Sequence, residues 1–236
     1  MSTAFQHAGL SRLATILLAS SPAAAGQESG AQLRQAAVRL LADAAGVAHT
    51  MSRAPGLAAL IGSARGVYIV PACDHAGPAV GAGSGSGVLV LRRRDGHWGN
   101  PAFYTTGGIS IGLQAGGEAG PFALLLMNQK AVDHVRKRNN FSLRADAGLT
   151  VVNYARMAQG TTGGDVVAWS GAKGLFGNAA TIAVDDIRYN QRLTQAHYGK
   201  PVNALDALDG SPQDPQAEPL RTALGERAEA VSAPDR

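Results

Sequence analysis

Val80 to Gly120 reads VGAGSGSGVLVLRRRDGHWGNPAFYTTGGISIGLQAGGEAG. Glycine stands at 81, 83, 85 and 87, every second position, and VLVL follows at once. A period of two is the period of a β-strand, so in a strand these four glycines share one face. A face without side chains costs backbone entropy and provides no packing of its own. It suits a place where another backbone or a ligand comes close. The pattern predicts a tightly packed, glycine-rich antiparallel sheet rather than an enzyme pocket.

Working outward, turn signals recur at short intervals. Asp95-Gly96 between VLVLRRR and HWGNPAFY predicts a tight hairpin. Gly107-Gly108 reads as a turn between AFYTT and ISIGLQA, and Gly116–Pro121 as the turn before FALLLMN. VYIVP, LRADAGLTVVN, DVVAWSG and AATIAVDDI are further strand candidates. Helical spacing of Leu33, Ala36, Ala37, Leu40, Leu41 and Ala44 predicts an amphipathic helix over Gln32–Ala45, with Gln35 and Arg39 opposite. Pro55 can open a second short helix, and Asn128–Arg138 a third. Short strands with glycine turns and few helices predict an α+β fold: an antiparallel sheet or small barrel with N-terminal helices and one inserted helix. From Gly210 onward, Pro, Ala and charge dominate, so residues 210–236 read as a disordered tail, with a transient helix near Leu220, after a single domain over 26–209.

The chain has 236 residues, 45% hydrophobic, with 30 glycines and a net charge of +4. That length supports one large domain or two small ones. No run approaches the ~18 apolar residues of a membrane helix. The mild positive balance suits anionic membranes or nucleic acid and is specific to neither. The single cysteine, Cys73, forbids an intrachain disulfide. Arg12, the LATILLA run and an A-x-A site at Ala23–Ala25 outline a secretory signal over residues 1–25. The expectation is therefore an exported protein, periplasmic or secreted; the alternative is a cytoplasmic protein with a disordered leader.

No motif on the chain assembles a catalytic centre. GAGSGSG fails the dinucleotide pattern because Ser86 stands where glycine is needed, and a strand follows where phosphate binding needs a helix. Gly108-Ile109-Ser110-Ile111-Gly112 matches G-x-S-x-G, but that motif works as a strained strand-to-helix turn. The alternation of Ile109, Ile111 and Leu113 places Ser110 inside a strand instead. The six histidines (His7, His49, His75, His97, His134 and His197) show no zinc spacing, and no cofactor is expected. Two basic runs remain: Arg92-Arg93-Arg94 at the hairpin and Arg136-Lys137-Arg138 closing the helix that carries Lys130. Solvated side chains and a favourable helix dipole account for both. The functional alternative is a surface for lipid headgroups. No aromatic residues interleave with these cations, so nucleic acid is not expected.

These residues resemble the SYLF-domain family, also called the Ysc-type actin-binding domain. The ordered matches are ARGVYIVP, GSGSGVLVLR, W-x-x-PAFYTTGGISIGLQAG, FALLLMN, DVVAWS, Lys173-Gly174-Leu175-Phe176-x-Asn178 and QAHYGKPVNALDAL. The resemblance covers roughly Leu33 to Leu208, and the ordered series is more specific than any single glycine motif. It implies a lipid-binding domain directed at phosphoinositides and other anionic membranes, and it extends to exported bacterial members. It also implies a membrane-contacting amphipathic helix, matched here by Gln32–Ala45 with Arg34 and Arg39 as its cations. Lys173 matches the family's lysine in K-G-L-F. Asp74-His75 replace a customary lysine, which weakens a headgroup role for that loop. Actin binding, known of fungal members, is not expected here, because no SH3 or FYVE module accompanies the domain.

The expected lipid-binding residues are thus Arg34, Arg39, Arg92, Arg93, Arg94, Lys130, Arg136, Lys137, Arg138 and Lys173. The expected function is non-enzymatic binding of anionic lipid or a membrane surface. The alternatives are a soluble envelope scaffold without a lipid ligand and, remotely, a serine hydrolase using Ser110.

Overall fold

The computed structural model describes residues 29–72, 83–111, 120–137, 139–143, 148–157, 163–171, 182–211 and 213–225. The expected signal segment, the Asp74-His75 loop, Arg138 and Lys173 lie outside them. Two helices come first: α1 (Gly30–Ser52) and α2 (Pro55–Ser63). A capping box starts α1. The Ser29 hydroxyl accepts from the Gln32 N–H at 3.2 Å, and the Ser29 N–H donates to Gln32 Oε1 at 2.7 Å. Two donors that a helix start leaves unpaired are thereby satisfied. The helix outruns the expected Gln32–Ala45 at both ends and buries Ala37, Leu41, Ala44, Ala45, Ala48 and Met51, while Ala36 is exposed.

Among the described residues, eight strands form one open sheet: β1 (Gly66–Val70), β2 (Gly83–Leu91), β3 (Ala102–Ile111), β4 (Phe122–Leu126), β5 (Asn140–Leu143), β6 (Val151–Asn153), β7 (Val166–Ser170) and β8 (Ile182–Tyr189). Their order is β5-β8-β3-β2-β1-β4-β7-β6. The sheet curls into a half-barrel, and the fold is α+β as expected. It is mixed rather than purely antiparallel, because β6 runs parallel to β7. LRADAGLTVVN is not one strand: its ends belong to β5 and β6 at opposite edges of the sheet. The remaining helices are α3 (Gln129–Arg136), α4 (Tyr154–Met157), α5 (Gln191–Tyr198), α6 (Ala204–Leu208) and α7 (Glu218–Ala223). Helix is therefore more plentiful in the C-terminal half than the single inserted helix expected from sequence.

The central strands are apolar on both faces. Tyr68 and Val70 of β1 join one cluster with Leu89, Leu91, Phe122, Leu124 and Leu126, covered by Ala131, Val132 and Val135 of α3 and by Ala204, Ala207 and Leu208 of α6. Val67 and Ile69 face the other cluster, with Val88, Val90 and Leu125, covered by α1, α2 and residues 217–224. The doubly buried strands explain why VYIV, VLVL and FALLL read as continuous apolar runs.

The expected Asp95-Gly96 hairpin is present. Gly96 has φ +89°, the Gly96 N–H donates to the Arg93 carbonyl at 3.1 Å, and the Arg93 N–H donates to the His97 carbonyl at 2.8 Å. Gly107-Gly108 is not a turn; β3 runs straight through it, pairing Gly108 with Asp185 of β8. Glycine serves there for close approach, since a Cβ on Gly107 would lie 2.8 Å from Asp186 Oδ2.

The expected tail is folded as far as residue 225, so the domain does not end at 209. A 3-10 turn (Pro215–Ala217) leads into α7, and Ala217, Leu220 and Leu224 pack on α1 and the sheet. Burying one leucine contributes about 1.5–3 kcal/mol, enough for a short, charge-rich segment to dock. Polar locks fix it. His197 Nε2 meets Asp214 Oδ2 at 2.6 Å, the Arg221 guanidinium donates to the Asp214 carbonyl at 2.9 Å, and the Asp214 N–H donates to Asn100 Oδ1 at 2.7 Å. Burial would raise the Asp214 carboxyl, but the His197 bond and the Gln216 N–H hold it below the usual range.

The strand face carrying Gly87 is filled. A Cβ there would lie 2.6 Å from Tyr68 Cε2 and 2.7 Å from the Ile69 carbonyl oxygen. Gly87→Val should therefore overpack and cost about 1–3 kcal/mol in a denaturant melt. A melt matching the parent's would show that this face yields freely.

Candidate functional site: an arginine cleft

The β2–β3 hairpin, the residue before β1, helix α3 and the end of α6 enclose a cleft of about 620 Å³. Arg65, Arg92, Arg93, Arg94 and Arg136 line it, against Asp133 and Asp209, a surplus of three positive charges. Arg136, over forty residues further along the chain, thus meets the Arg92–Arg94 run at one place. Covering the sheet brings them together, because Leu91, Val132 and Leu208 in the cleft wall belong to the apolar cluster beneath.

These arginines differ in what holds them. Arg92 is structural: its Nε donates to the Ala64 carbonyl at 3.0 Å and its terminal nitrogens to the Ile61 and Gly96 carbonyls at 3.2 and 2.7 Å. Its guanidinium carbon also lies 4.1 Å from the centre of the buried Trp98 ring, a cation–π contact. Arg92 so caps the carbonyl end of α2 and ties it to the hairpin. Arg93 donates to the Gly210 carbonyl at 2.7 Å, tying the hairpin to the corner after α6. Arg94, at the exposed tip, and Arg65 make no side-chain bond with described residues. Arg136 grips Asp209 through both terminal nitrogens, and that bond holds its guanidinium above its ordinary value.

Of the other expected residues, the four that are described do not line the cleft. Lys130, 61% exposed, pairs with Asp165 at 3.1 Å. The Asp165 carboxyl lies at about 2, lowered by bonds from the Thr150 N–H and the Asn128 amide and by Lys130. Lys137 follows α3 and is exposed. Arg34 and Arg39 are exposed on α1, which belongs to the layer on the opposite face of the sheet from α3. Arg34 donates to the Ala196 carbonyl of α5 at 3.2 Å. The eight expected residues that are described are therefore divided, and the N-terminal helix and the cleft are separate places.

Sequence reading missed Arg65, Asp133 and Asp209. Arg65 looks like a lone cation before a strand, and only the pairing of β1 with β2 sets it beside Arg92, whose N–H donates to the Arg65 carbonyl at 2.7 Å. Asp209 fell at the expected domain end. Ser110 lies inside β3, opposite Ala183 of β8, so the strand-to-helix turn of a nucleophile elbow is not formed at this serine. Among the described residues, no group of His, Cys, Asp or Glu could hold a metal ion, and no helix is long and apolar enough to cross a membrane.

Fold and site define an α+β module with a basic cleft on one face of a doubly covered sheet. The chain belongs to the Ysc84 family, described as "Las17-binding protein actin regulator", whose profile matches residues 107–227. That match takes in α3, α6 and α7 and continues past the expected domain end. Human SH3 domain-containing YSC84-like protein 1 is 26% identical over 178 residues, 73% of this chain and 48% of the relative. SH3 domain-containing protein PJ696.02 of Schizosaccharomyces pombe is 28% identical over 153 residues, 61% of this chain and 35% of the relative. Protein YSC84 of Saccharomyces cerevisiae is 28% identical over 152 residues, 61% and 32%. The chain thus spans a third to a half of these relatives' length. No solved structure matches it.

Unequal anchoring makes the cleft arginines separable by experiment. Arg92→Ala should cost about 1–3 kcal/mol in a denaturant melt, since it strips the end of α2 and the Trp98 ring of their partner. Arg94→Ala should change stability by about 0.5 kcal/mol or less. Equal melts for the two variants would contradict the division.

Proposed function

We propose that this chain is a non-enzymatic module that binds anionic lipid surfaces, with the arginine cleft as its contact. The convergence of Arg65, Arg92–Arg94 and Arg136 in one cleft carries this reading. Each cation near an anionic bilayer contributes about 1 kcal/mol, over a Debye length of about 8 Å at physiological salt. The structural arginines hold the wall in place, and Arg65 and Arg94 are exposed and make no side-chain bond with described residues. Membership of a family with binding proteins among its named relatives supports a binding role. The place of Ser110 within a strand weighs against the hydrolase alternative.

Vesicle co-sedimentation tests the proposal. The full chain should pellet with anionic vesicles more than with neutral ones, and added salt should release it. Arg65→Gln/Arg94→Gln should bind about thirtyfold more weakly at an unchanged melting temperature. Equal binding to neutral and anionic vesicles, unchanged by salt, would sink the electrostatic account. Pelleting with neither would favour a scaffold without a lipid ligand. Pelleting with actin filaments but not with vesicles would replace lipid by actin, which the family description names as what its members regulate.

A further inference from the structure

Among the cleft arginines, Arg136 is distinguished by a carboxylate clamp. Its two terminal nitrogens meet the two oxygens of Asp209, the fork geometry that a phosphate group also offers. Nothing local favours an acid at position 209. Asp209 is the residue at the C-terminal end of α6, where the helix dipole disfavours negative charge. Its side chain is 53% exposed, and its bonds among the described residues go to Arg136. The acid is instead aimed into a cleft that carries a surplus of positive charge.

We propose that Asp209 is an internal anion of the cleft, a latch that a multiply charged phosphate group displaces from Arg136. This rests on the cleft being the anion-binding site. A partly exposed ion pair is weak, so the latch can open. A singly charged group offers Arg136 no more than Asp209 already does. A phosphomonoester or polyphosphate offers the same fork with more charge, and it can also reach the Arg65 and Arg94 guanidiniums, which make no bonds with described residues. Asp209 thereby sets a charge threshold, turning a basic surface into a site selective for multiply charged phosphate. The source is a lipid headgroup or a free phosphate compound.

Titration calorimetry with tripolyphosphate and co-sedimentation with phosphatidic acid vesicles, both on the full chain, test the latch and separate the two sources. Asp209→Asn should bind about fivefold more tightly than the parent. Asp133→Asn removes the same charge from the same cleft without breaking the clamp, and should gain less. In an Arg136→Gln background the gain from Asp209→Asn should vanish. Asp209→Ser gives a second variant with the same expectation. A gain with tripolyphosphate alone assigns free phosphate, and a gain with vesicles alone assigns the headgroup; either supports the latch. Asp209→Asn binding no more tightly than Asp133→Asn, or keeping its gain without Arg136, overturns the latch while parent binding leaves the cleft standing. Binding of neither probe by parent or Asp209→Asn overturns both.

Discussion

A strand buried on both faces cannot lie at a surface, and its sheet needs a layer on each side. All five residues of β1 and all five of β4 are buried. Helices α1 and α2 cover one face with help from α7, and α3 and α6 cover the other. The second covering has a consequence for charge. Val132 and Leu208 seat α3 and α6 beside Leu91, which places Arg136 and Asp209 next to the arginine hairpin. The cleft is thus a by-product of covering apolar strands, with its charged rim set by residues that flank the buried ones.

The same demand explains the fate of the C-terminal segment. Its composition suggests disorder, yet Ala217, Leu220 and Leu224 are spaced to lie against α1 and the sheet. Polar partners are supplied from far along the chain: His197, Asn100 and the Trp98 indole, which donates to the Leu224 carbonyl at 3.4 Å. A composition average cannot register three well-placed apolar residues among charges. Alternation and turn chemistry were more legible. The Asp95-Gly96 hairpin, β1, β2, β4 and α3 stand where local pattern put them, because each is specified within a few residues. Gly107-Gly108 misled because glycine marks a turn and a close approach equally well, and only β8, some eighty residues on, decides between them.

For the site, the sequence showed the cations but not their commitments. Arg92, Arg93 and Arg94 look alike in a run of three, yet one caps a helix and stacks on Trp98, one bonds a distant carbonyl, and one is exposed at the tip. Those differences depend on Ala64, Ile61 and Gly210, which no motif joins to the run. Arg34 and Arg39 enter through the amphipathic helix that the resemblance implies, and the sheet separates that helix from the hairpin.

That separation gives the most direct test. Amide hydrogen exchange of the full chain, followed with and without anionic vesicles, reports which surface meets the membrane. The cleft account predicts slowed exchange over residues 92–98, 129–137 and 205–210, with α1 little changed. Slowing confined to residues 30–52 would place the contact on the N-terminal helix and contradict the assignment of the cleft.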